Sequence, residues 1–221
     1  MVKDSVGVIY GRTGSFKFEF AVPDGVVVRR GEYVKVWHAI EGWTLGHVDD
    51  VVRMSDDFRL REAASAADAG RVGDIREKTA ASASVVGFRG GDGLLRTPNT
   101  PFSPGDKVFR ADDEIIKYTL GLLGGDIYVG LLEGHGLRVC LDGDDLVQKH
   151  VSILARTGSG KSYTAAVILE ELLENGIPML IIDPHGEYLT LRESNDVDDK
   201  VFKRYGVTGK GYGKQVTVYT P

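Results

Sequence analysis

The sequence predicts a mixed architecture: a small antiparallel β-barrel, then an incomplete α/β domain. Three observations carry this. Phe16, Phe18 and Phe20 alternate with Lys17 and Glu19, the period of a half-buried strand. Short apolar runs between Gly and Pro recur at spacings of about 8–12 residues, as in barrels and sandwiches. Beyond residue 150, an apolar run, a Gly-rich loop, an amphipathic stretch and a second apolar run follow in βαβ order.

The elements follow in order. Gly7-Val8-Ile9-Tyr10 and the Phe16–Phe20 run are expected to pair as a hairpin across Gly11-Arg12-Thr13-Gly14-Ser15. That Gly-rich turn lacks both a Lys and a following helix, so a hairpin turn is favoured over a phosphate loop. Val26-Val27-Val28, Tyr33–Trp37 and Leu45–Met54 are read as further strands, with Arg29-Arg30-Gly31-Glu32 as a solvated turn. Trp37 and Trp43 are assigned to core or subunit-interface packing rather than nucleic-acid stacking. Leu60, Ala63, Ala64 and Ala67 fall at helical spacing within Arg59–Ala69, before Gly70. A second short helix is expected over Asp74–Ala81, then a strand over Ser84–Phe88. Arg89–Pro104 reads as loop. Asp112 is the expected N-cap of a helix through Leu122, with Ile115, Ile116, Thr119 and Leu120 on one face. Ile127–Leu132 and Leu137–Leu141 are two more strands. The expected division is 1–145 and 146–221.

Composition bounds the function. The chain has 221 residues, 42% hydrophobic and 27% charged, which excludes a wholly disordered polypeptide. A formal charge of −5 excludes a generic nucleic-acid coat. One cysteine, Cys140, excludes an internal disulfide framework. The five histidines show no metal-ligand spacing. No apolar run approaches the ~20 residues of a membrane helix. Val2-Lys3-Asp4-Ser5 carries no signal-peptide pattern, so a cytoplasmic protein without membrane contact is expected.

The chemistry lies in the second half. Val151–Leu154 is read as a strand and Ile177–Ile182 as a buried parallel strand, with a helix over Tyr163–Glu174 between them. The apolar stripe of that helix is Ala166, Leu169, Leu172 and Leu173. Glu170, Glu171 and Glu174 are placed mainly on its outer face. The connecting run, Ala155-Arg156-Thr157-Gly158-Ser159-Gly160-Lys161-Ser162, matches the Walker A pattern except that Ala155 replaces the first Gly. Gly158 and Gly160 let successive N–H groups curl inward, and the helix N-terminus adds its dipole. Lys161 is expected to reach the β- and γ-phosphates of ATP, and the Ser162 hydroxyl to bind Mg²⁺. Thr157, Gly158, Ser159, Gly160, Lys161, Ser162 and the adjoining Tyr163 form the expected nucleotide cradle.

Asp183-Pro184-His185-Gly186-Glu187-Tyr188 follows the second apolar run, where strand ends line the ligand crevice of an α/β sheet. Asp183 and Glu187 are both candidates for catalysis beside Lys161, at the Mg²⁺ shell or at the attacking water. The residues alone do not choose between them, and they leave a role for His185 open.

Together, Lys149–Leu154, Thr157–Ser162 and Asp183–Tyr188 resemble the HerA family of hexameric DNA-translocating ATPases, in the HerA/FtsK branch of RecA-like P-loop proteins. Gly31-Glu32-Tyr33-Val34, Leu45-Gly46-His47-Val48 and Pro101–Val108 resemble that family's N-terminal HAS barrel. The resemblance implies a homo-hexameric ring motor on double-stranded DNA. It also implies a NurA-like nuclease docked on the barrel and a role in archaeal DNA-end resection and repair. Lys149 stands where the family often carries Arg. No apolar strand ending in Asp-Glu and no arginine finger is found before Pro221. The chain is therefore expected to be the N-terminal part of a longer protein or a truncated piece, with little hydrolysis of its own. A conjugation or secretion ATPase, a non-catalytic docking barrel and a small-molecule kinase are the competing readings.

Overall fold

The computed structural model describes residues 5–55, 60–70, 76–195 and 199–219. They divide into two compact units, up to Gly121 and from Leu122. The β8–β9 hairpin described below therefore falls in the second unit, although the sequence places the division at 145/146.

The first unit is a closed six-stranded antiparallel barrel. Its strands are β1 (Ser5–Tyr10), β2 (Lys17–Val22), β3 (Tyr33–His38), β4 (Gly42–Met54), β5 (Lys78–Arg89) and, after the short β6 (Leu95–Arg96), β7 (Lys107–Arg110). The order β2-β1-β7-β3-β4-β5 closes through pairing of β2 with β5. Alternation decides which side chains enter. Phe18 and Phe20 in β2, Val34 and Val36 in β3, and Val48 in β4 are buried in the core with Ile9, Phe102 and Val108. The Phe18 and Phe102 rings pack at 5.2 Å. The lysines and glutamate between them stay outside.

Helix α1 (Leu60–Ala69) ends at Gly70, whose φ is +61°. Helix α2 (Asp113–Leu120) packs against β4 and β5. The Asp112 carboxylate caps it by accepting the Ile115 N–H at 3.0 Å. Ile116 and Thr119 are its buried residues, and Gly121 ends it in the left-handed region. Arg89 ties the helix end to the barrel by donating to the Thr119 carbonyl at 3.2 Å.

Four expectations for this unit are corrected. Val26–Val28 is not a strand: it leaves the Pro23–Val26 turn without a ladder, Val28 is buried in the core, Val26 packs half-buried against it, and Val27 is exposed. Phe16 lies outside β2 and is 69% exposed. The short helix over Asp74–Ala81 does not form over its described part. Positions 74 and 75 lie outside the described residues, 76–77 are coil, and Lys78 opens β5. Alanine favours helix locally, but Ala80, Ala81 and Ala83 have ladder partners in both β2 and β4, and this tertiary pairing overrides propensity. Of the two packing roles expected for Trp37 and Trp43, only the core role is overturned. With Val34 and Val36 facing inward, the period of two turns Trp37 outward, and the two indoles are 56% and 40% exposed. They pack edge to face at 5.4 Å, and Trp43 also meets Phe109 at 5.6 Å.

The second unit holds the hairpin of β8 (Ile127–Leu131) and β9 (Arg138–Leu141), then α3 (Gly143–Gln148), α4 (Lys161–Glu174), a 3₁₀ turn over Leu189–Arg192 and α5 (Asp199–Tyr205). The expected strands at 151–154 and 177–182 are not strands here, nor is the segment 215–219. The first two are irregular, and the third begins in a turn in which Gln215 and Val216 donate to the Tyr212 carbonyl. A buried parallel strand needs ladder partners, and none is formed for these segments among the described residues. Accordingly Leu154, Leu180 and Ile182 are 91%, 89% and 84% exposed.

Candidate functional site

The Walker-like loop runs directly into α4. Gly158 and Gly160 take φ of +78° and +92°, a region that disfavours any residue with a Cβ. A Cβ at either would meet nothing within 4 Å, so backbone conformation rather than crowding requires glycine there. Ser159 closes the turn between them. Its N–H donates to the Arg156 carbonyl at 3.1 Å and its hydroxyl to the same oxygen at 2.6 Å. Gly160 is the N-cap of α4, no side chain caps the helix, and its first turn carries no acid. The Thr164 N–H is the first to join the helical ladder, on the Gly160 carbonyl at 2.8 Å. The N–H groups of Lys161, Ser162 and Tyr163 precede that ladder. An uncapped helix start with a lysine at its first position suits an anion. Lys161 is exposed, and Tyr163 is 65% exposed.

The acidic segment supplies the second wall. The Asp183 carboxylate accepts the Glu187 N–H at 3.1 Å and the Tyr188 N–H at 2.9 Å. Gly186, with φ of +70°, bends the chain between them. These bonds, that from Tyr188 foremost, hold the Asp183 carboxyl below the usual carboxylate range. The turn carries Glu187 to α4, where its carboxylate accepts the Ser162 hydroxyl at 2.8 Å. The structure thus gives the two candidate acids different contacts: Asp183 holds backbone, and Glu187 meets the loop. His185 is exposed.

The glutamates of α4 do more than face solvent. Of the expected apolar stripe only Leu172 is buried, and the helix is held by acid clips as well. Glu171 accepts the Tyr128 N–H at 2.8 Å, fixing α4 to β8. Glu174 accepts the Lys210 ammonium at 2.7 Å and the Tyr212 hydroxyl at 2.6 Å. Lys210 first, then Tyr212, hold the Glu174 carboxyl below its ordinary value. Burial first, and then Glu174, push the Tyr212 phenol upward. Burial, then Glu174 and Glu171, raise Glu170. The sequence reading missed Lys210 and Tyr212, because a partner far along the chain leaves no periodic signal.

The residues present fit a phosphate chain and a divalent cation. The open Gly158–Gly160 curl and the uncapped start of α4 suit the anion, and the Ser162 hydroxyl, its proton taken by Glu187, offers a hard oxygen atom for the cation.

Residues 6–90 match the HAS barrel domain family model, and residues 127–221 match that described as the central domain of helicase HerA. The chain is 30% identical over 199 residues to the DNA double-strand break repair helicase HerA of Pyrococcus furiosus, covering 86% of this chain and 36% of that protein. It is 38% identical over 195 residues to the probable DNA double-strand break repair helicase HerA of Methanocaldococcus jannaschii, covering 87% of this chain and 33% of that one. It is 37% identical over 116 residues to HerA of Sulfolobus acidocaldarius, covering 52% of this chain and 23% of that one. The chain thus spans about a third of the length of the first two relatives. With a HAS barrel in its first unit, and with the second unit's loop, helix and acidic turn inside the matched central domain, the chain belongs to the HerA family.

Proposed function

We propose that this chain is the barrel and nucleotide-binding portion of an ATP-driven DNA helicase that translocates on double-stranded DNA in break repair. The protein would work as a homo-hexameric ring in the cytoplasm, with a NurA-like nuclease on the HAS barrel. The observation that carries the reading is the open glycine curl and uncapped α4 of a Walker-type loop, with Glu187 on Ser162, in a chain with HerA relatives.

The chain's own residues have definite tasks. The N–H groups at the start of α4 and the curl at Gly158 and Gly160 bind the phosphates. Lys161 places its ammonium on the β- and γ-phosphates, and Ser162 offers its hydroxyl oxygen to Mg²⁺. Thr157 and Ser159 shape the loop, and Tyr163 stands beside it. ATP, when bound with Mg²⁺, supplies the phosphoanhydride whose hydrolysis drives movement. Phosphoryl transfer depends on positioning and charge, which Lys161 and the helix start provide.

Calorimetric titration of Mg·ATPγS into the purified protein and into Lys161→Ala tests the reading, with circular dichroism confirming that both are folded. Saturable binding by the first and at least tenfold weaker binding by the second is expected. Equal binding by both, or none by a folded wild-type protein, refutes it.

A further inference from the structure

We propose that Glu187 is a positioning residue for the metal, acting through Ser162, and that Asp183 is the clamp that holds Glu187 in place. The inference rests on the nucleotide reading above.

Two aliphatic hydroxyls, those of Ser162 and Thr164, lie in the first turn of α4, and they are used differently. Thr164 donates back to the Gly160 carbonyl at 3.1 Å, a local bond within the helix. Ser162 donates instead to the Glu187 carboxylate at 2.8 Å, across 25 positions of sequence. A hydroxyl has one proton and two lone pairs. Once the proton is committed to Glu187, both lone pairs are left for other partners. A serine that ligates a cation needs this arrangement, because an unanchored hydroxyl can rotate and point its proton at the ion. A carboxylate accepting that proton fixes the rotor and makes the oxygen a stronger donor to the metal, as second partners of metal ligands do elsewhere. Glu187 thus aligns Ser162 without needing to touch the metal.

The clamp explains how an exposed glutamate reaches this point. Asp183 receives two successive backbone N–H groups, those of Glu187 and Tyr188. Gly186 makes the bend, and the Glu187 backbone is therefore fixed one residue after it. Each Asp183 carboxylate oxygen thus accepts one of the two N–H groups, Oδ1 that of Glu187 and Oδ2 that of Tyr188. The two acids of this segment divide the work: one shapes the turn, and the other orients the serine.

The test measures binding rather than turnover. ATPγS is titrated into the purified protein in excess EDTA and again in excess Mg²⁺, and the ratio of the two dissociation constants is the magnesium enhancement. The wild type is compared with Glu187→Ala, Glu187→Gln and Asp183→Ala. The expected result is unchanged affinity in EDTA for Glu187→Ala, with the enhancement reduced on the order of 10- to 100-fold. Glu187→Gln, whose amide oxygen still accepts the hydroxyl proton, recovers most of it. Asp183→Ala behaves like Glu187→Ala. A full enhancement in Glu187→Ala overturns the proposal. Loss of EDTA binding in Glu187→Ala also overturns it, because Glu187 would then be holding the loop itself. A wild type that binds nucleotide in neither condition refutes the nucleotide reading, a result distinct from both.

Discussion

Replacing Gly7 with alanine adds one methyl group to the barrel at a point with no room for it. A Cβ on Gly7 would press on the Phe20 ring and lie 2.6 Å from the Ala21 carbonyl oxygen. Phe20 is fully buried, and Ala21 is the ladder partner of Val8, the next residue of β1. Neither can move aside without shifting the β1–β2 pairing. Gly46 is the control. A Cβ there would meet only the tip of the Phe18 ring, at 3.2 and 3.3 Å, and a Val34 methyl at 3.4 Å. Those side chains can give by a few tenths of an ångström. Overpacking against backbone should cost Gly7→Ala about 2–3 kcal/mol. That lowers the unfolding midpoint of a domain of this size by roughly 8 °C or more. Gly46→Ala should cost less than about 1 kcal/mol, since the lost freedom of the unfolded glycine offsets part of the strain. Both tryptophans lie in this unit, so their fluorescence during thermal unfolding reports on the barrel. Equal midpoints for the two variants, or a Gly7→Ala midpoint within a degree or two of wild type, would refute the close-approach argument.

Asp112→Ala should cost about 1 kcal/mol by removing the cap of α2, while Asp112→Asn should cost clearly less because asparagine also caps. Urea unfolding of the two variants separates capping from the ion pair with Lys35. Glu174→Gln weakens the clip to Lys210 and Tyr212, with an expected loss of about 1 kcal/mol at neutral pH, tempered by partial exposure. The folded-state pKa of Glu174 is depressed, so its contribution is present above the unfolded value of about 4.3 and disappears as pH falls through the folded value. The gap between wild type and Glu174→Gln should thus be constant from pH 7 to pH 6 and close below about pH 4. A gap independent of pH would mean that Glu174 acts by packing rather than charge.

What could be read from the sequence was whatever depends on neighbours in the chain. The alternation in β2 and β3, the Asp112 cap and the Gly158–Gly160 spacing all belong to this kind, and each stands in the structure. Most of the unread features depend on distant partners. The stretch up to Ala81 looked helical because its composition says nothing of the strands on either side of Ala80 and Ala81. Asp183 and Glu187 looked interchangeable until the fold carried one of them to Ser162. The α3 turn had a local signal in Asp142 followed by Asp144 and Asp145 that went unread, and the Asp142 carboxylate accepts the Asp145 N–H at 2.9 Å. The exposed runs around Leu154 and Leu180 misled in the opposite direction, because an apolar sequence states a need for burial without stating what will meet it.

Closure of the barrel restricts how the first unit can be recognised. Because β2 pairs with β5, each of the six barrel strands has neighbours on both sides. A partner cannot add a strand of its own to that cylinder and read it through backbone hydrogen bonds. It must read side chains. At the Trp37–Trp43 pair those side chains stand on rigid, paired backbone, so little conformational freedom remains to be lost when another surface settles on them.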